Sequence, residues 1–117
     1  MKLLLVDDEE KFVARLAERL QLRGYEADWA TTYGEALAKA GSKSYDVAVL
    51  DIKMPTMSGI DLKKRMEEMA PKMKFIFVTG HGSEQDYDIV CKEAVCCIIK
   101  PFKIEVLIEK IEQALTM

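Results

Sequence analysis

No stretch of this sequence stays apolar for the roughly 20 residues that a bilayer-spanning helix requires, so it offers no transmembrane segment. A secretory leader is missing as well. The opening "MKLLLVDDEE" has one lysine and a short apolar run, but acids follow where an apolar core and a small-residue cleavage site belong. The expected compartment is therefore the cytoplasm. There is no basic excess: 17 Lys and Arg against 20 Asp and Glu leave a net charge of -3. That balance excludes the electrostatic footprint of a nucleic-acid or polybasic membrane surface. Histidine occurs once, at His81, and the three cysteines (Cys91, Cys96, Cys97) lack zinc-ligand spacing. They read as small buried hydrophobes in a reducing compartment. On a strand, neighbours Cys96 and Cys97 point to opposite faces, which argues against a mutual disulfide.

Linkers, repeats and low-complexity stretches are also lacking, so the 117 residues form one domain, long enough to bury a core. Half the residues are hydrophobic and 32% are charged, and they alternate between two kinds of segment. Apolar runs predict strands at 2–7, 25–30, 45–51, 74–80 and 95–100, the second an edge strand by its alternation. Helical spacing predicts helices at 11–24, 32–41, 58–70, 83–94 and 103–116. Gly24 stops the first, Thr31 or Thr32 caps the second, and Ser58 and Ser83 cap the third and fourth. Runs such as Leu3 to Val6 and Phe75 to Val78 lack strict alternation, which suits strands buried on both faces. Five βα units in a row predict an α/β fold, a single (βα)5 doubly wound domain with helices on both faces of a parallel sheet.

In such a sheet, ligands bind beyond the carboxyl ends of the strands. At or just past four of those ends stand Asp7 and Asp8, Asp51, Thr79 and Lys100. The fold thus gathers three carboxylates, a hydroxyl and an ammonium on one edge. Two carboxylates about 4 Å apart repel by roughly 4 kcal/mol at an effective dielectric of 20. One lysine does not neutralise three, so either a carboxyl protonates or a cation binds. An all-oxygen site suits Mg²⁺ or Mn²⁺ rather than zinc. Carboxylate, divalent ion, hydroxyl and ammonium are the parts of phosphoryl transfer, with Asp51 the natural nucleophile. Gly80 leaves room for a phosphoryl group, and Gly59 lets the backbone swing from the Asp51 loop into the next helix.

The segments "LLVDDE" (4–9), "DIKMPTMSGIDL" (51–62), "VTGHG" (78–82) and "IIKPF" (98–102), in this order and spacing, resemble the receiver domain of response regulators over the whole chain, 1–117. The resemblance implies a flavodoxin-like sheet of order 2-1-3-4-5. It also implies that Asp51 accepts a phosphoryl group from the phosphohistidine of a sensor histidine kinase or phosphotransfer protein, and that the same site catalyses its loss. Asp8, Asp51 and the backbone carbonyl of Lys53 would ligate Mg²⁺, with Asp7 acting through a bound water. Thr79 and Lys100 would bond the phosphoryl oxygens, and the peptide before Pro101 would be cis. Phosphorylation would change partner affinity on the face made by the helix at 83–94, the strand at 95–100 and the closing helix, which is also the candidate homodimer face. An output domain is not expected within these residues.

Departures from the family pattern lie in "EAVCC" (93–97). Glu93 replaces a helix-ending glycine, and Cys97 stands where the family has a switch aromatic, so the coupling of Thr79 to that ring is the step in question. Lys53 is either a solvated loop residue or one that gates water and contacts the kinase. His81 is an ordinary loop residue or a modulator of hydrolysis at the rim of the site, beside Gly80. Met54, Met57, Met66, Met69 and Met73 read as core and loop filler or as an adaptable partner surface. Trp29 belongs to the edge strand, away from the site. Two further functions compete with this one. A degenerate receiver acting as a phosphorylation-independent docking module is the alternative. A haloacid-dehalogenase-type phosphatase is rejected because Lys53 occupies the position of its second aspartate.

Overall fold

A computed structural model describes residues 1–52, 59–80 and 96–116. Within them the elements run β1 (Lys2–Val6), α1 (Glu10–Leu22), β2 (Glu26–Ala30), α2 (Tyr33–Ser42), β3 (Val47–Asp51), α3 (Gly59–Met69), β4 (Lys74–Thr79), β5 (Cys96–Ile99) and α4 (Ile104–Leu115). The five strands form one parallel sheet in the order β2-β1-β3-β4-β5. The expected α/β flavodoxin-like topology is therefore the observed one. The helix expected at 83–94 lies outside the described residues, as do Lys53, Met54, Met57, Ser58, His81, Ser83, Cys91 and Glu93.

Strand alternation sorts the side chains into two cores. Leu3, Leu5, Val47, Val49, Ile76 and Val78 pack with Val13, Leu16 and Leu20 of α1 and with Leu107 and Ile111 of α4. The intervening residues Leu4, Val6, Ala48, Leu50, Phe75 and Phe77 pack with Ala36 and Ala40 of α2 and with Leu62 and Met66 of α3. β1, β3 and β4 are thus buried on both faces, which is why their sequences are continuously apolar. Each fully buried Leu, Ile or Phe contributes about 1.5–3 kcal/mol of transfer free energy. Met66 and Met73 are buried core members, whereas Met69 is 46% exposed.

Local signals set most element ends. The α1 helix closes in a Schellman motif: the Gly24 N–H donates to the Gln21 carbonyl and the Tyr25 N–H to the Leu20 carbonyl. Gly24 sits at φ +93°, a conformation that glycine adopts without a Cβ penalty. Of the two candidate caps for α2, Thr32 is the one used: its hydroxyl accepts from the Glu35 N–H at 3.1 Å. Gly41 does not end α2, which continues to Ser42.

One lateral row crosses the whole sheet in register: Ala30, Val6, Leu50, Phe77 and Cys97. Directly after Val6 and Leu50 the chain turns polar, at Asp7 and Asp51. This step from apolar to acidic is where the sheet's carboxyl edge begins.

Candidate functional site

Backbone bonds fix Asp7, Asp51, Thr79 and Lys100 at the ends of their strands. The Asp7 N–H donates to the Ala30 carbonyl at 3.1 Å, which carries β1 one residue further along β2. The Asp51 strand end is held on the other side, where the Ile52 N–H donates to the Val78 carbonyl at 3.0 Å. The Lys100 N–H donates to the Thr79 carbonyl at 2.7 Å, tying the last two strand ends together. The Lys100–Pro101 peptide is cis.

The sheet edge brings Asp7, Asp8 and Asp51 together: one carboxylate oxygen from each lies within 4.8 Å of the other two. Asp7 (4% exposed) and Asp51 (7%) are buried, and Asp8 is open to solvent. At this separation each like-charged pair costs about 3–4 kcal/mol at an effective dielectric of 20. Lys100 supplies a compensating charge. Its Nζ lies 2.6 Å from Asp7 Oδ2, 3.4 Å from Glu9 Oε1 and 3.9 Å from Asp51 Oδ2. Burial pushes the Asp7 carboxyl above its ordinary value, and hydrogen bonds from Lys100 and the Glu9 N–H offset part of that rise. For Lys100 burial works downward. The hydrogen bond to Asp7 and the charges of Asp7, Asp51 and Glu9 outweigh it and hold the ammonium above its ordinary value.

Three carboxylates against one ammonium leave the cluster short of positive charge. Hard oxygen donors, with Asp8 open to water, suit a small divalent cation that keeps part of its hydration shell, such as Mg²⁺. Thr79 is 2% exposed, and its hydroxyl donates to the Gly80 carbonyl at 3.3 Å. Among the described residues, nothing lies within 4 Å of where a Cβ on Gly80 would stand.

Gly59 has a different reason from the one expected. Its φ is not in the left-handed region. Instead, a Cβ there would collide with the Asp51 carbonyl oxygen and lie 3.0 Å from Ile52 Cα. The start of α3 is pressed against the end of β3, with the Gly59 N–H donating to the Ile52 carbonyl at 2.8 Å. Glycine here permits close approach rather than an unusual turn.

Two neighbours of the site were not singled out from the sequence. Glu9 donates its N–H to Asp7 Oδ1 at 2.9 Å and offers its carboxylate to Lys100. Phe12, within the helix predicted at 11–24, lies against Lys100. Glu9 was visible as the last residue of "LLVDDE", but nothing in sequence spacing marks Phe12. Cys97 is half-buried and packs against the core that contains Phe77. Trp29 lies on the edge strand β2, with Lys39 Nζ 5.9 Å from its ring centroid.

Comparison with known proteins agrees with this geometry. The chain matches the response regulator receiver domain over residues 3–112. It is 32% identical over 108 residues to the two-component response regulator PhoP of Pseudomonas aeruginosa, covering 92% of this chain and 48% of that protein. The chain spans about a third to a half of the length of several curated relatives it matches, the RegA of Rhodovulum sulfidophilum, this PhoP and the SaeR of Staphylococcus epidermidis among them. Among solved structures, it superposes on a CheY-like receiver domain protein from Methanospirillum hungatei with a TM-score of 0.89 and 34% identity, covering 98% and 93% of the two chains. It superposes likewise on TrrA of Thermotoga maritima, in complex with Mg²⁺ and BeF, with a TM-score of 0.84 and 35% identity, covering 97% and 98%. Among the described residues, no helix is long and apolar enough to cross a membrane.

Proposed function

The chain belongs to the response-regulator receiver family, and from that premise we propose that it is a phosphoacceptor switch in which Asp51 takes a phosphoryl group from a phosphohistidine. The observation that carries this reading is the meeting of Asp7, Asp8 and Asp51 with Lys100 at the carboxyl edge of the sheet. A carboxylate oxygen of Asp51 attacks phosphorus, the bond from phosphorus to the imidazole nitrogen breaks, and an acyl phosphate forms on Asp51. Lys100 is 3.9 Å from Asp51 Oδ2 before transfer, so a short movement away from Asp7 brings its ammonium onto a phosphoryl oxygen. The Thr79 hydroxyl exchanges its acceptor, the Gly80 carbonyl, for another phosphoryl oxygen. Asp7, Asp8 and Asp51 would hold Mg²⁺, or Mn²⁺ in its place, which supplies neutralisation of the charge gathered on the phosphoryl group. The Lys53 carbonyl, a further ligand implied by the family, lies outside the described residues, as does His81.

The donor is a sensor histidine kinase or a phosphotransfer protein, and the output is a changed affinity for a downstream partner. A homodimer would use the β5 and α4 face, where Ile99 and Val106 are exposed. Cys97 favours a second reading, a docking module indifferent to phosphorylation, because a thiol does not sweep the volume that an aromatic ring does.

Intact mass after incubation with Mg²⁺ and acetyl phosphate separates the two readings. One phosphoryl adduct is expected, absent from Asp51→Ala and from a chelated sample. A folded protein that gains no adduct from either acetyl phosphate or a phosphorylated kinase would leave the docking module standing.

A further inference from the structure

The ammonium of Lys100 touches more than carboxylates. Its Nζ lies 4.6 Å from the centroid of the Phe12 ring, within cation–π range. Phe12 is half-buried in the first turn of α1. Its ring is braced edge-on by Phe102, at a centroid distance of 6.0 Å and an interplanar angle of 85°. Phe12, Phe102, Val49 and Val78 share with Asp7 and Asp51 the lining of a small, partly open cavity of about 10 Å³. A space of that size is at the lower limit for one water, so the rings and the carboxylates border the same small space.

We propose that Phe12 is a positioning residue for Lys100, keeping the ammonium between Asp7 and Asp51, where a phosphoryl group on Asp51 would meet it. The proposal rests on the reading of Asp51 as phosphoacceptor. A lysine is a point charge on a flexible four-carbon stem. The carboxylates alone do not confine it, because Glu9, 3.4 Å from Nζ, has a side chain 66% exposed and draws the charge outward. A ring face attracts a cation over a broad area. It therefore retains the ammonium while Nζ moves from Asp7, at 2.6 Å, toward Asp51, at 3.9 Å. Phe102 fixes the plane of the ring and so the direction in which Lys100 is allowed to travel.

The test compares the unaltered protein with Phe12→Leu, Phe12→Tyr, Lys100→Met and the Phe12→Leu/Lys100→Met double variant. The probes are Mg²⁺ alone and beryllofluoride with saturating Mg²⁺. Phe12→Leu is expected to weaken beryllofluoride binding by roughly threefold to tenfold, the range of a partly desolvated cation–π contact, with Mg²⁺ affinity unchanged. Phe12→Tyr, which keeps the ring, is expected to restore it. In the Lys100→Met background Phe12→Leu is expected to have no further effect, since the two residues act as one unit. The Lys100 Cε proton resonances give a separate reading, expected to be shifted by the ring current in the unaltered protein and in Phe12→Tyr. Unshifted Lys100 resonances in the unaltered protein, or a Phe12→Leu effect of full size without Lys100, would overturn the proposal. If the unaltered protein binds Mg²⁺ but neither beryllofluoride nor a phosphoryl group, the phosphoacceptor reading is what fails, and the Lys100 resonances still decide whether Phe12 holds the lysine.

Discussion

Tyr45, just before β3, is buried, and its hydroxyl donates to Asp28 Oδ2 on β2 at 2.7 Å. Lys43 Nζ reaches the same oxygen at 3.0 Å. The hydrogen bond from Tyr45, followed by that from Lys43, holds the Asp28 carboxyl below its ordinary value, while burial and then Asp28 push the Tyr45 phenol up. An acid with a depressed folded value is protonated more readily in the unfolded chain. Its contribution is therefore present above the unfolded value of about 3.9 and is lost as pH falls through the lower folded value. Asp28 is 37% exposed, so solvent screening keeps this contribution small. Tyr45→Phe is expected to lower stability by about 0.5–1.5 kcal/mol at neutral pH and to flatten the acid limb below about pH 4. Urea unfolding at several pH values checks both, and an acid limb as steep in Tyr45→Phe as in the parent would refute the assignment. At this scale the site was legible in part. Asp7, Asp8, Asp51, Thr79 and Lys100 were marked by a polar residue ending an apolar run. Phe12 was not, because an aromatic at helical spacing looks the same whether it touches only core or also a lysine.

Between elements, β3 and α3 meet in a close junction. Gly59→Ala places a methyl against the Asp51 carbonyl and near Ile52 Cα, both backbone atoms that do not yield as a side chain does. The expected cost is about 1–3 kcal/mol, as for other overpacked sites, together with slower phosphoryl uptake because the strand end bearing Asp51 must shift. Denaturant midpoints and the intact-mass assay read these two effects separately. A variant as stable and as reactive as the parent would mean that the junction is looser than its distances state. Sequence periodicity placed the described elements to within a residue or two, with Gly24 and Thr32 acting as foreseen. The predicted end of α2 at residue 41 falls one residue short, because the backbone does not turn left-handed at Gly41 and the helix continues to Ser42.

For the molecule as a whole, the carboxylate cluster trades stability for charge. Three mutually repelling acids on one edge are carried by two cores that cover both faces of the sheet. Asp51→Asn is expected to melt higher than the parent without metal, because one source of repulsion is gone. Saturation with Mg²⁺ at about a hundred times its dissociation constant adds roughly 2.7 kcal/mol to the parent, a rise on the order of 10 °C for a domain of this size. Asp51→Asn should show much less of it, as differential scanning calorimetry would reveal. Equal rises in both proteins would exclude Asp51 as a ligand. The strand order has a consequence for biosynthesis. β1 sits between β2 and β3, so its second edge stays open until β3 has left the ribosome. With about 40 residues between them at 5–20 residues per second, the wait is roughly 2–8 s. During that time Leu3 to Val6 are flanked by Lys2 on one side and by Asp7, Asp8, Glu9 and Glu10 on the other. Charges beside a sticky strand act as gatekeepers against association with other nascent chains. The acids that assemble the site in the finished fold thus protect β1 before that fold exists.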